Sequence, residues 1–176
     1  MGNGFKITKE QFAAMQDHGI PGPTVKKEGV KKWCLEGIKY GFACVYVNPC
    51  DAEYAKSILG GKVHRGIPVD YPFGIASTAT KIAEGLDAIE KGADEPDMVI
   101  NVSRAKDKDD DYIRNQLTGK AKKPDVIVRI IIECPLPARE EKIRAAAMVA
   151  DSGADYVKQA AGSPPSTAIC PATSCC

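Results

Sequence analysis

Six polar or ionisable residues stand within, or at the ends of, short apolar runs: Asn48, Asp97, Asn101, Arg129, Glu133 and Lys158. Side chains alternate between the two faces of a strand, so Asp97, Val99 and Asn101 share one face, as do Arg129, Ile131 and Glu133. Burying a charge is costly unless it is paired. Ionisable groups at inward-capable positions of several strands therefore read as a site rather than as a packing solution, and their types are those that exchange protons and grip polar ligands.

Other constellations carry less. The seven cysteines are an odd number, which argues against a disulfide framework. Cys34, Cys44, Cys50 and Cys134 lie in apolar stretches, where a reduced cysteine packs as a small hydrophobe. Cys170, Cys175 and Cys176 crowd the end of the chain, where exposed thiols oxidise. No paired C-x2-C spacing offers a zinc site. Asp107 to Asp111 lack the glycine and distal glutamate of a calcium loop and read as a solvated loop and helix start. No metal ligand is assigned.

These residues need elements to position them. The runs 42–48, 98–102, 126–132 and 154–158 are rich in β-branched residues and nearly continuous in hydrophobicity, as strands covered on both faces must be. A weaker run, 63–69, is interrupted by Gly66 and Pro68. Helix punctuation fills the intervals. Thr24 is expected to cap a helix ending at Tyr40–Gly41, and Asp51 a short one ending at Gly60. Ser77 or Thr78 opens a helix with Ile82, Leu86 and Ile89 facing inward; Pro137 opens another with Ile143, Ala147 and Ala150 facing inward.

Strand and helix alternating every ~25–30 residues give βαβ units and a parallel sheet. A doubly wound nucleotide fold would carry a glycine-rich phosphate loop, and neither G-x-G-x-x-G nor a Walker sequence occurs. A (β/α) barrel needs no such loop and places its chemistry at the C-terminal ends of strands, where these polar residues lie. The fold expected is α/β, a parallel (β/α) barrel of TIM type.

The chain has 176 residues, 44% hydrophobic and 27% charged, with a net charge of +1. That suits one soluble domain, with no electrostatic reason to expect nucleic acid or a membrane surface as partner. No apolar run approaches the ~18 residues that span a bilayer, and the N-terminus lacks the apolar core of a signal peptide. A cytoplasmic location is expected.

Several segments together resemble the deoxyribose-phosphate aldolase family. They are Tyr40-Gly-Phe-Ala-Cys-Val-Tyr-Val-Asn-Pro49, Tyr71-Pro-Phe-Gly74, Lys81-x-x-Glu84, Gly92-Ala-Asp-Glu-Pro-Asp-Met-Val-Ile-Asn101, Arg129-Ile-Ile-Ile-Glu133 and Gly153-Ala-Asp-Tyr-Val-Lys158, in the family's order. Asp17-His18 stands for that family's first-strand motif. The resemblance spans residues 15 to 162 and implies a class I aldolase on a (β/α)8 barrel, with no metal or other cofactor. It implies that Lys158 is the Schiff-base lysine of the sixth strand and Asp97 the acid that shuttles protons with water. Such a lysine needs burial or a neighbouring cation to free its lone pair. Arg129 stands where the family has a lysine, and Tyr46 and Asn48 line the substrate side of the second strand. Asn101 is grouped with them as a binding residue. The implied reaction is reversible cleavage of 2-deoxyribose 5-phosphate to glyceraldehyde 3-phosphate and acetaldehyde. A non-catalytic scaffold or interaction subunit on the same fold is the alternative.

The chain departs from that family in its last part. The barrel is expected to be incomplete, with about six of eight strands, since a full one takes ~250 residues. The family's seventh strand, with a second active-site lysine, and eighth strand, with the phosphate site, are expected to have no counterpart among these residues. Gln159-Ala-Ala-Gly-Ser163 replaces the family's hydroxyl-rich continuation. Residues 1–162 are expected to form the barrel domain and 163–176 an irregular tail rich in proline and cysteine. Exposed strand edges then favour association with further copies of the chain.

Overall fold

Parallel strands cannot be joined by a tight turn, so each must be followed by a crossover, and helices supply most of it here. In the computed structural model, which describes residues 6–19, 21–119, 125–134 and 136–159, the strands are β1 (Asp17–His18), β2 (Cys44–Tyr46), β3 (His64–Val69), β4 (Glu95–Val99), β5 (Arg129–Ile131) and β6 (Tyr156–Lys158). The helices are α1 (Lys9–Ala13), α2 (Lys27–Tyr40), α3 (Ala52–Leu59), α4 (Thr78–Glu90), α5 (Val102–Lys106), α6 (Asp110–Thr118) and α7 (Arg139–Asp151). All six strands are parallel and lie side by side in chain order. The sheet is curled into a half-barrel. Six flat strands spaced ~4.8 Å apart would hold their outer members roughly 24 Å apart. Here Lys158 Nζ on β6 comes within 3.5 Å of Asp17 Oδ2 on β1.

The core lies outside the curl, between sheet and helices. Val45, Val47 and Ile67 pack with Val30, Cys34 and Leu59 of α2 and α3. Met98, Ile130 and Ile132 pack with Ile113, Leu117, Met148 and Val149 of α6 and α7. The alternate residues of the same strands face the inside of the curl and are largely polar. Helix ends follow local chemistry. Gly41 and Gly60 close α2 and α3 in the left-handed conformation that glycine adopts without penalty. Ser77 Oγ accepts from Thr80 N at the start of α4. No helix among the described residues is long and apolar enough to cross a membrane.

Several expectations need correction. The fourth strand occupies Glu95–Val99 rather than 98–102, because its first residues are polar groups facing the barrel interior; Val102 already begins α5. The interrupted run 63–69 forms a strand of six residues despite Gly66 and Pro68. α2 starts after Lys26, not at Thr24, and Asp51 precedes α3 without a side-chain capping bond. The inward face of α4 is Lys81, Gly85 and Ala88, with Leu86 exposed. That of α7 is Ala145, Met148 and Val149, whereas Ile143, Ala147 and Ala150 face outward. Cys34, Cys44 and Cys134 are buried as expected, but Cys50 is exposed. Residues 160–176, including the 163–176 tail, lie outside the described residues.

Candidate active site

Strand parity builds the site. Register pairs Cys44 with Asp17 and His64, Tyr46 with Gly66, and Asp97 with Arg129. The inner face of the curl thereby carries Asp17, Cys44, Tyr46, His64, Glu95, Asp97, Arg129 and Lys158. His18 turns to the other face, bonding Glu36 at 2.8 Å.

At the centre Lys158 Nζ donates to Asp97 Oδ2 at 2.6 Å and stands 3.9 Å above the centroid of the Tyr46 ring. An ammonium over an aromatic face is attracted by the ring's quadrupole. Asp97 is fully buried, whereas the Lys158 side chain is 24% exposed, so the amine sits at the rim of the buried region. Arg129 lies beside them. Its Nη1 donates to Asp17 Oδ2 at 3.1 Å, whereas its Nη2 meets Glu95 Oε2 and its Nε is 3.2 Å from Asp97 Oδ1, both as ion pairs without hydrogen-bond alignment.

Burial holds the Asp97 carboxyl above its ordinary value; the Lys158 cation works against that shift. The Tyr46 hydroxyl also favours the ionised carboxylate from nearby, though it makes no well-formed hydrogen bond. Burial likewise pushes the Tyr46 phenol and the Cys44 thiol up, so neither is a ready nucleophile at neutral pH. The Tyr46 ring fits because its neighbour on β3 has no side chain. A Cβ at Gly66 would lie 2.3–2.5 Å from three ring carbons.

Lys158, Asp97, Tyr46 and Arg129 therefore come together. Asn48 and Asn101 have other attachments. Asn48 Oδ1 accepts from Gly22 N at 2.8 Å and its Nδ2 donates to Gly22 O at 3.1 Å, tying the end of β2 to the loop after β1. Asn101 caps α5, accepting from Arg104 N at 3.1 Å. Glu133 is buried just past β5 with a left-handed φ of 48°. Sequence reasoning missed Glu95 and His64. The signal was present: Glu95 precedes Asp97 by two residues and shares its face. Asp17, Cys44 and Glu95 bring three ligand-type groups together, as a metal site would. Both carboxylates are already engaged by the Arg129 guanidinium, so a fixed organic cation holds that place.

Comparisons with known proteins agree with this geometry. No family model matches the chain. A deoxyribose-phosphate aldolase of Clostridium perfringens is 39% identical over 159 residues, covering 89% of this chain and 71% of that one. Its counterpart in Caldanaerobacter subterraneus is 38% identical over 156 residues, covering 86% and 68%. Among solved structures, the tetrameric deoxyribose phosphate aldolase of Aeropyrum pernix aligns with a TM-score of 0.79 at 25% identity, covering 89% of this chain and 67% of that one. The aldolase QR15 aligns with a TM-score of 0.82 at 26% identity, covering 89% and 71%.

Proposed function

Because the chain belongs to the deoxyribose-phosphate aldolase family, we propose that it is a class I aldolase acting on 2-deoxyribose 5-phosphate, with Lys158 as the amine that bonds to the substrate. The observation that carries this reading is the Lys158–Asp97 contact of 2.6 Å at the rim of a buried, polar barrel interior.

The chemistry follows from that pair. A neutral amine is the attacking form. The proton it must release lies on the line to Asp97 Oδ2, and burial makes that carboxylate a better proton acceptor than an exposed one. The amine adds to the C1 carbonyl of the open-chain sugar, giving a carbinolamine. Protonation of its hydroxyl, with Asp97 as donor through a water, expels water and leaves an iminium. The C3 hydroxyl then gives its proton through the same water to Asp97, now a carboxylate again, and the C2–C3 bond breaks. Its electron pair moves to the iminium nitrogen, giving an enamine, while C3 becomes the aldehyde of glyceraldehyde 3-phosphate. Protonation of the enamine at C2 and hydrolysis of the resulting iminium release acetaldehyde and restore Lys158. The iminium is the electron sink, so the sequence of steps calls on no metal.

In this scheme Arg129 shares Asp97 with Lys158 and stays charged throughout, since a guanidinium does not give up its proton near neutral pH. Tyr46 shields the amine from below. Asn48, through its hold on Gly22, and Asn101, through its cap on α5, shape the rim that meets the sugar. The relatives named above are aldolases, which favours an enzyme over a scaffold. The Aeropyrum pernix relative is tetrameric. Strand β6 exposes Tyr156 and Val157 at 60% and 41%, and we place an interface with further copies of this chain along that edge. A phosphorylated sugar substrate is consistent with work in the cytoplasm.

The test is release of acetaldehyde from 2-deoxyribose 5-phosphate by the purified chain, with K158M as control. Turnover by the parent and none by K158M supports the reading. A folded parent protein that releases no acetaldehyde overturns it.

A further inference from the structure

Glu95 takes no part in the steps above, yet it is 5% exposed and sits against the one guanidinium of the site. Its two oxygens are divided. Oε2 meets Arg129 Nη2, and Oε1 meets His64 Nδ1 at 2.6 Å. His64 lies on β3 with its side chain 53% exposed, so it can anchor Glu95 without being buried itself. Register places Glu95 beside Gly66, two residues beyond His64 on β3, so no side chain at that point of β3 separates the carboxylate from its neighbours. Arg129 then spends its three edges on three acids: Nη2 on Glu95, Nη1 on Asp17 and Nε towards Asp97. The chain His64–Glu95–Arg129–Asp97–Lys158 is continuous from a half-exposed imidazole to the amine.

We infer that Glu95, held by His64, is a positioning residue that fixes the rotation of the Arg129 guanidinium and so sets how much of Asp97 is left for Lys158. The reason is geometric. A guanidinium is a rigid planar fork whose edges move together. With Nη2 anchored at Glu95, Nε faces Asp97 Oδ1 and leaves Oδ2 to the lysine. With that anchor gone, the fork is held only through Nη1 at Asp17 and pivots there to turn a full edge onto Asp97 and compete for both oxygens. Cys44 and Asp17, which also face Glu95 from β2 and β1, supply no substitute, since one is a neutral thiol and the other already holds Nη1.

The catalytic consequence rests on the aldolase reading, but the positioning is measurable without it. In E95Q the Arg129 Nε–H signal, followed by nitrogen-15 NMR in the full chain, is expected to broaden and exchange faster, with the melting temperature little changed. Borohydride trapping of acetaldehyde at Lys158 is expected to slow by about ten- to a hundredfold, the scale of an ångström-sized misplacement. H64Q is expected to act in the same direction more weakly, and E95Q/H64Q to be no slower than E95Q alone, because both act through one carboxylate. A purely structural role would give additive losses and no change at Arg129. If E95Q does not fold, H64Q at its half-exposed position decides: an altered Arg129 signal supports the inference and an unaltered one overturns it. An unchanged Arg129 signal in folded E95Q, or normal trapping beside a disordered Arg129, overturns it as well. If the parent protein traps no aldehyde, the aldolase reading fails while the Arg129 signal still judges the positioning.

Discussion

Lys158 reaches back across a whole strand to Asp97, 61 residues earlier in the chain, and closes to 2.6 Å. Register places Lys158 beside Ile131, two residues beyond Arg129, which is itself paired with Asp97. On a flat sheet strands two apart are separated by ~9.6 Å. The lysine stem and the curl of the sheet together cover that distance, and Arg129 is displaced to the flank of Asp97. A buried acid thus meets two cations of different kinds, one permanently charged and one able to give up a proton.

The pair has a pH signature. The folded value of Asp97 is raised by burial, with Lys158 opposing the shift. Stability from an acid shifted upward is fully present below its unfolded value and is lost as pH rises through the folded value. K158M removes one opposing cation and raises Asp97 further. We expect K158M to lose about 1–2 kcal/mol at pH 8, with the deficit shrinking towards pH 4 as Asp97 takes up a proton. Urea midpoints at the two pH values check this; equal losses at both contradict it.

Lys81 has a structural part to play outside the site. Its side chain is wholly buried, its Nζ donates to Gly74 O, Val99 O and Gln116 Oε1 at 2.7–3.0 Å, and Asp70 Oδ2 lies 3.1 Å away. It binds the loop after β3 to the end of β4 and to α6. K81M leaves three oxygens and a carboxylate without their cation, and a loss of about 3–5 kcal/mol is expected. Equilibrium unfolding measures it; a loss below ~1 kcal/mol contradicts the assignment.

Gly66 makes room for the aromatic floor of the site. In G66A the new methyl overlaps the Tyr46 ring, and the ring must leave its place beneath Lys158. A loss of about 1–3 kcal/mol is expected, together with slower trapping at Lys158. In a Y46A background the same G66A change should cost less than in the parent, since the overlap disappears. An equal cost in both backgrounds would mean that the glycine serves the backbone instead.

Much of this was legible in the sequence, and the gaps have a common cause. Asp97, Arg129 and Lys158 were readable because polar residues interrupting apolar runs stand out, whereas the role of Lys158 and the place of Tyr46 came from the resemblance to the aldolase family, and only the strand register brings the four together. Glu95 escaped because it sits outside the apolar run used to locate β4. A strand whose inner face is a polar site begins with residues that look like loop. The helix faces of α4 and α7 were misassigned because both segments offer apolar residues on more than one face: Leu86 and Ile143 point outward, while Lys81, Gly85 and Ala88 of α4 and Ala145, Met148 and Val149 of α7 are buried. Asn48 and Asn101 lie in loops whose course depends on backbone partners, Gly22 and Arg104, that spacing alone does not identify.

The most direct measurement is reduction of the chain with borohydride in the presence of acetaldehyde, followed by peptide mass spectrometry. The proposed chemistry predicts an ethyl group on Lys158, formed faster than on any other lysine and lost from that peptide in K158M. Modification spread evenly over exposed lysines, with Lys158 no faster than the rest in a folded protein, would contradict it.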